Sequence, residues 1–182
     1  YGGGKVQLFD PSLNRFNIQF QDANGRTLNT ENLSFSSEQN GNIKLASGDS
    51  LTLSFKAGNE AGQQLEIRYT VYGDKYDVKQ EIVPVNIPSF FSGQNRAGIQ
   101  WESAGLPHEK HLDTEKQRCS VFYCLVDDDR DYLSENGNDE EQITEPISWV
   151  AFKQNFFSAI INGIWRTSST FSFNYILICR EK

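Results

Sequence analysis

Apolar side chains recur at every second position in one short segment after another, and turn-forming residues stand between the segments. Successive side chains of a strand point to opposite faces, so this period of two is the mark of strands with one buried face. Phe16, Ile18 and Phe20 alternate in RFNIQFQ, and DANGRT follows with an Asn-Gly pair, a strong hairpin signal. Leu51, Leu53 and Phe55 alternate before the loop AGNEAG, and Leu65, Ile67, Tyr69 and Val71 answer after it. A Gly73-Asp74 turn leads to Tyr76, Val78, Gln80 and Ile82. Further apolar segments lie at Ile99 to Trp101, Cys119 to Val126, Trp149 to Ile161 and Phe171 to Cys179. Eight or more short strands without long helical patterns predict an all-β fold, two packed and mainly antiparallel sheets with few helices. At 182 residues the chain can bury one core as a single domain, 1–182. Thirteen Phe and seven Tyr supply large side chains suited to sheets.

The densest apolar stretch is WVAFKQNFFSAII, residues 149–161. On a helix, Trp149, Phe152, Phe156 and Ile160 would share a face. On a strand, Val150, Phe152, Phe156 and Ile160 lie on one face and Trp149, Phe157 and Ile161 on the other, with Gln154 and Ser158 as polar interruptions. Aromatic and β-branched enrichment favours a strand, buried on both faces. SFFSGQNRAG, residues 89–98, reads as an exposed turn between strands.

The net charge of −7 is local: nine of the 24 acidic residues fall between Asp127 and Glu145, against one base, Arg130. The rest of the chain is close to neutral and has no basic stripe, which argues against nucleic acid as a partner. Segment 127–145 is expected to be a solvated acidic surface loop. Asp127, Asp129 and Asp131 have the alternation of a calcium loop, but Tyr132 stands where that loop needs Gly and Asn138 where it needs Glu. Cys119, Cys124 and Cys179 are an odd set without metal-ligand spacing. They read as buried free thiols, with a bridge from Cys179 to one of the others as the alternative.

Little else in the sequence is suited to chemistry. His108 and His111 in PHEKHLD are three apart, and the zinc-protease pattern fails because Leu112 stands where its second His belongs. They read as an exposed loop pair. No nucleophile elbow, phosphate loop or dinucleotide fingerprint occurs. The carboxylates of the acidic run lie in polar surroundings that would not raise a pKa for acid catalysis. No catalytic, cofactor-binding or metal-binding residue is assigned, no cofactor is implied, and the chain is not expected to be an enzyme. No apolar run approaches the roughly 18 to 20 residues needed to cross a bilayer as a helix. The chain contains no Met, so it is expected to be a fragment or a processed form.

LEIRYTVYGDKYDVKQEIV, the IQWES segment, VFYCLVDDDRDYLSE with its acidic continuation, and ISWVAFKQNFFSAII occur in that order. Together they resemble the large periplasmic domain of the YidC membrane protein insertase family, in the form found in Bacteroides-type bacteria. The specific part is Trp149 with Val-Ala, then Phe156-Phe157 with Ser-Ala, all after an acidic linker. The resemblance implies a β-supersandwich similar to sugar-mutarotase folds, lying between the first and second spans of an inner-membrane protein. It implies a non-catalytic part in inserting membrane proteins, alone or with the Sec translocon, with SecDF subunits and nascent membrane proteins as partners. It also implies further strands before Tyr1, and after Ile161 the tail, 162–182, departs from the family pattern. An acidic loop is disfavoured beside anionic head groups, so 127–145 is expected to point away from the membrane. The alternative function is a carbohydrate-binding or mutarotase-like domain, with Trp101, Trp149 and Trp165 as candidate sugar platforms. Core packing is the ordinary role for such side chains.

Overall fold

The computed structural model describes residues 7–21, 27–87, 98–108, 110–133, 139–166 and 171–179, with only the backbone described for Gln21, 164–166 and 171–179. The turn at 22–26 and most of 89–98 therefore lie outside the described residues. The chain forms two sheets. The smaller has the order β2-β1-β6, from β1 (Arg15–Gln21), β2 (Thr27–Asn29) and β6 (Gly98–Glu102). The larger joins β3 (Ser50–Gly58), β4 (Gln64–Tyr72), β5 (Asp77–Val85), β7 (Ser120–Leu125), β8 (Arg130–Tyr132), β9 (Ile147–Lys153), β10 (Phe157–Arg166) and β11 (Phe171–Cys179). Its order is β3-β4-β5-β11-β10-β9-β7-β8. All the pairings are antiparallel.

The alternation read from the sequence sets the faces. Phe55, Ile67 and Ile82 are cross-strand partners in register, as are Leu53, Tyr69 and Gln80. Ile18 and Phe20 of the small sheet cluster with Leu65, Ile82 and Ile161 of the large one, and Phe16, Leu33, Phe35 and Trp101 pack around them. Burying each such side chain is worth about 1.5 to 3 kcal/mol, so this cluster clamps the two sheets together. The outward face of β3 to β5 is polar and self-satisfied. Thr52 and Thr70 share a hydroxyl hydrogen bond of 2.9 Å, Ser54 donates to Glu66 at 2.6 Å, and Arg68 donates to Glu66 at 2.7 Å. Asn17, which alternates with Phe16 and Ile18 along β1, is only 1% exposed, and its Oδ1 accepts from the Thr30 hydroxyl and the Glu31 N–H. Those bonds, with Ile18 N–H donating to Thr30 Oγ1 at 2.9 Å, tie β1 to the 3-10 turn Thr30–Asn32 after β2.

Three expectations are corrected. The stretch 149–161 is a hairpin rather than one strand: β9 ends at Lys153, Gln154 N–H donates to Phe157 O at 2.7 Å, and β10 runs back alongside. The turn resets the alternation. Val150 and Ile161 become partners on the face toward the small sheet, while Ala151 and Ile160 pair on the other. Ala151 and Ile161 are both buried, so the hairpin is covered on both faces. Second, PHEKHLD is not simply loop: Leu112–Lys116 forms the short helix α1. Third, Arg130–Tyr132 within the acidic segment is the edge strand β8, turned back from β7 through Asp128, whose φ of 74° is one that Asp tolerates. Its three exposed residues, two of them charged, discourage further strand addition at this edge.

Candidate functional site

A cleft of about 750 Å³ opens where the loop after β6, helix α1, the start of β7 and the β9–β10 turn meet. Its walls are mostly apolar, including Phe9, Leu106, Leu112, Val121, Leu133 and Phe152, and the volume suits a small ligand or a few residues of a peptide. Phe9 arrives through an N-terminal strap. Leu106 N–H donates to Leu8 O, Asp10 N–H donates to Ala104 O, and Phe9 bridges Gly105.

The cleft also carries polar groups, among them Ser103, Glu115, Lys116, Ser120, Asp139, Lys153 and Gln154. Glu115 of α1 is 6% exposed, and its two carboxylate oxygens accept the His108 backbone N–H at 2.9 and 3.0 Å. Charge-assisted bonds of this kind hold the loop against the helix. The His108 ring Nε2 lies 2.7 Å from Gln7 O, its Nδ1 lies 3.8 Å from Glu115 Oε1, and the ring packs on Phe157 with centroids 5.2 Å apart. His108 is thus half-buried, correcting the expectation of an exposed pair, because it fastens the strap and its ring is stacked. His111 is exposed just before α1. Gln154, which reads as a mere interruption in the sequence, lines the cleft at 9% exposure, and its Oε1 is buried without a hydrogen-bond partner. Lys116 and Lys153 also line the cleft, with the Lys153 ammonium 5.1 Å from the centroid of Phe122.

The other candidates are distributed differently. Trp101 and Trp149 line a second, smaller cleft of about 300 Å³ between β6 and β9, where Trp101 packs on Phe152 at 4.3 Å between centroids. The Trp165 side chain lies outside the described residues. Cys119 is half-buried beside the large cleft, where its Sγ donates to Glu115 O at 3.3 Å, and Cys124 is buried in β7, while the side chain of Cys179 lies outside the described residues. Asp127, Asp129 and Asp131 are exposed. Among the described residues no three His, Cys, Asp or Glu are placed to hold a metal ion, and no helix is long and apolar enough to cross a membrane. Over the acidic segment, Glu141 reaches back to the phenol of Tyr123, which burial first and this carboxylate second push up to about 12.

Fold and cleft define a class: a two-sheet, mostly β domain with one large apolar concavity beside the packed sheets. Within that class the chain belongs to the YidC periplasmic domain family, whose profile matches residues 2–174. Relatives include the membrane protein insertase YidC of Parabacteroides distasonis, 26% identical over 162 residues, which covers 88% of this chain and 24% of that protein. The membrane protein insertase YidC of Phocaeicola vulgatus is 29% identical over 160 residues, covering 87% of this chain and 24% of that protein. That of Amoebophilus asiaticus is 27% identical over 162 residues, covering 87% of this chain and 27% of that protein. The chain spans about a quarter of the length of the relatives it matches.

Proposed function

We propose that this periplasmic domain is a non-catalytic accessory part of a membrane protein insertase of the inner membrane, and that it contacts client segments or Sec translocon components such as SecDF. The observation that carries the reading is the family match across residues 2–174, together with relatives named as membrane protein insertases. On this reading the insertion step belongs to other parts of such a protein; the chain corresponds to about a quarter of its relatives' length. On this reading the two sheets belong to a β-supersandwich of mutarotase-like type. The acidic segment 127–145, which includes the edge strand Arg130–Tyr132, is solvated and directed away from the lipid surface, where its carboxylates avoid anionic head groups.

Photo-cross-linking in the full-length insertase tests the reading. A photoreactive residue at Leu112, 47% exposed on the cleft wall, is expected to capture nascent membrane proteins or a SecDF subunit. One at Thr52, on the polar outer face, is expected not to. Equal or absent capture from both positions refutes partner contact through this domain. A second reading, carbohydrate binding, draws on the shared cleft of Trp101 and Trp149. Titration with simple sugars separates it: saturable quenching of tryptophan fluorescence at about millimolar sugar favours that reading, and a flat titration removes it.

A further inference from the structure

The two nitrogens of the His108 ring have unlike surroundings. Nε2 lies 2.7 Å from Gln7 O, and a carbonyl oxygen can only accept, so Nε2 carries the hydrogen. In the neutral ring Nδ1 is then a bare acceptor. That atom is buried without a hydrogen-bond partner, 3.8 Å from Oε1 of Glu115, whose carboxylate already takes the His108 backbone N–H at 2.9 and 3.0 Å. A buried lone pair facing a carboxylate has lost its water and meets repulsion in exchange. Stacking on Phe157, with centroids 5.2 Å apart, keeps the ring from turning away. A proton on Nδ1 reverses the balance, because the same atom becomes a cationic donor aimed at an anchored carboxylate.

From this geometry we infer that His108 and Glu115 form a proton-operated latch on the N-terminal strap, fastened when His108 is protonated and loosened when the ring is neutral. The ring is the last of three successive ties. Asp10 N–H donates to Ala104 O at 3.0 Å, Leu106 N–H donates to Leu8 O at 3.0 Å, and His108 Nε2–H donates to Gln7 O. Phe9 of the strap bridges Gly105 and forms a wall of the large cleft, so the latch governs how firmly that wall is held. Imidazole changes its charge between about pH 5 and 8, which sets the range of the device. The stabilising contact is complete at the acid end of that range and is lost as pH rises and the ring gives up its proton. Other charged groups on the surrounding elements are engaged elsewhere or exposed. Asp10 of the strap accepts from the Ser12 hydroxyl at 2.6 Å, Arg118 beyond α1 donates to Asn155 at 3.4 Å, and the Lys153 ammonium at the end of β9 lies over Phe122. Lys110 and His111 before α1, and Asp113 and Lys116 within it, are exposed. Among the described residues, the ion-pair partner of the ring is Glu115.

Amide hydrogen exchange in the purified chain, followed by NMR, tests the latch. Protection factors, which correct for the pH dependence of exchange itself, are compared at about pH 5.5 and about pH 8 for Leu106 and Asp10. Both amides are expected to be about tenfold better protected at the lower pH, while Lys56, whose N–H donates to Ser36 O beside β3, changes by less than about twofold. His108→Gln keeps a donor for Gln7 O but takes up no proton. Glu115→Gln keeps an acceptor for the His108 N–H but carries no charge. Each is expected to abolish the pH difference at Leu106 and Asp10. The imidazole nitrogen shifts of the unmodified protein give a second readout that needs no variant: the neutral ring is expected to hold its hydrogen on Nε2. Equal protection at the two pH values, a difference that persists in either variant, or a neutral ring with its hydrogen on Nδ1 would each overturn the inference.

Discussion

At Gly73, just after β4, neighbouring backbone leaves no room for a side chain. The Gly73 N–H donates to Asp49 O at 2.9 Å, which draws the β4–β5 turn against the segment before β3. A Cβ added there would lie 1.9 Å from Ala46 O, 2.7 Å from Ala46 C and 3.3 Å from Leu45 Cβ. A carbon and a carbonyl oxygen rest at about 3.3 Å or more, so the backbone at Ala46 would have to retreat by over about 1 Å. Ala46 O is not free to do so, because it accepts the Asp49 N–H at 3.1 Å. Forced overpacking costs about 1 to 3 kcal/mol, against a gain of about 0.4 to 1 kcal/mol from restricting the unfolded chain when Gly becomes Ala. Because the obstacle is backbone, the cost falls in the upper part of that range, about 2 to 3 kcal/mol, and the net effect of Gly73→Ala is a loss of about 1 to 2.6 kcal/mol, or about 2 to 10 °C in melting temperature for a chain of this size. Urea unfolding followed by tryptophan fluorescence should show a lower midpoint with the slope preserved. A midpoint equal to or above that of the unmodified protein would refute the close contact between Gly73 and Ala46.

Ile82 has no solvent exposure and joins the core shared by the two sheets, so Ile82→Ala should cost about 2 to 5 kcal/mol in the same assay. A loss below about 1 kcal/mol would mean that the sheets do not close over it. The Tyr123 phenol, pushed up to about 12 by burial and Glu141, should ionise well after an unfolded tyrosine near 10. A folded pKa raised in this way means that its contribution to stability is whole below about pH 10 and lost as pH rises from about 10 towards 12. Spectrophotometric titration should therefore show a late phenolate wave. Tyr69, which burial also raises, contributes to that wave, and Tyr123→Phe should shrink it by one phenol. An unchanged late wave in Tyr123→Phe would refute the assignment.

Most of the candidate site could not be read from the sequence. The large cleft joins Phe9, Gly105, Glu115 and Gln154, which lie far apart in the chain and meet only because β9 pairs with β7 and the strap pairs with the loop after β6. His108 reads as an exposed loop residue because nothing in PHEKHLD foretells Gln7 O or the ring of Phe157. Gln154 was present as a signal: the Gln-Asn pair is the polar break in an aromatic run, and such a break can be a turn as well as an interruption within a strand.

By itself the sequence determined the mostly β character and the inward faces of β1 and β3 to β5. Alternation is a local property, set by the direction of successive side chains, and it holds whichever strands become neighbours. Tertiary structure decided which strands those are. It folded 149–161 into a hairpin, and it seated β11 between β5 and β10, so that strands distant in sequence lie side by side in one sheet. Partner choice depends on long-range backbone pairing and on the closing of the two sheets over Ile18, Ile82 and Ile161, contacts that no local pattern encodes.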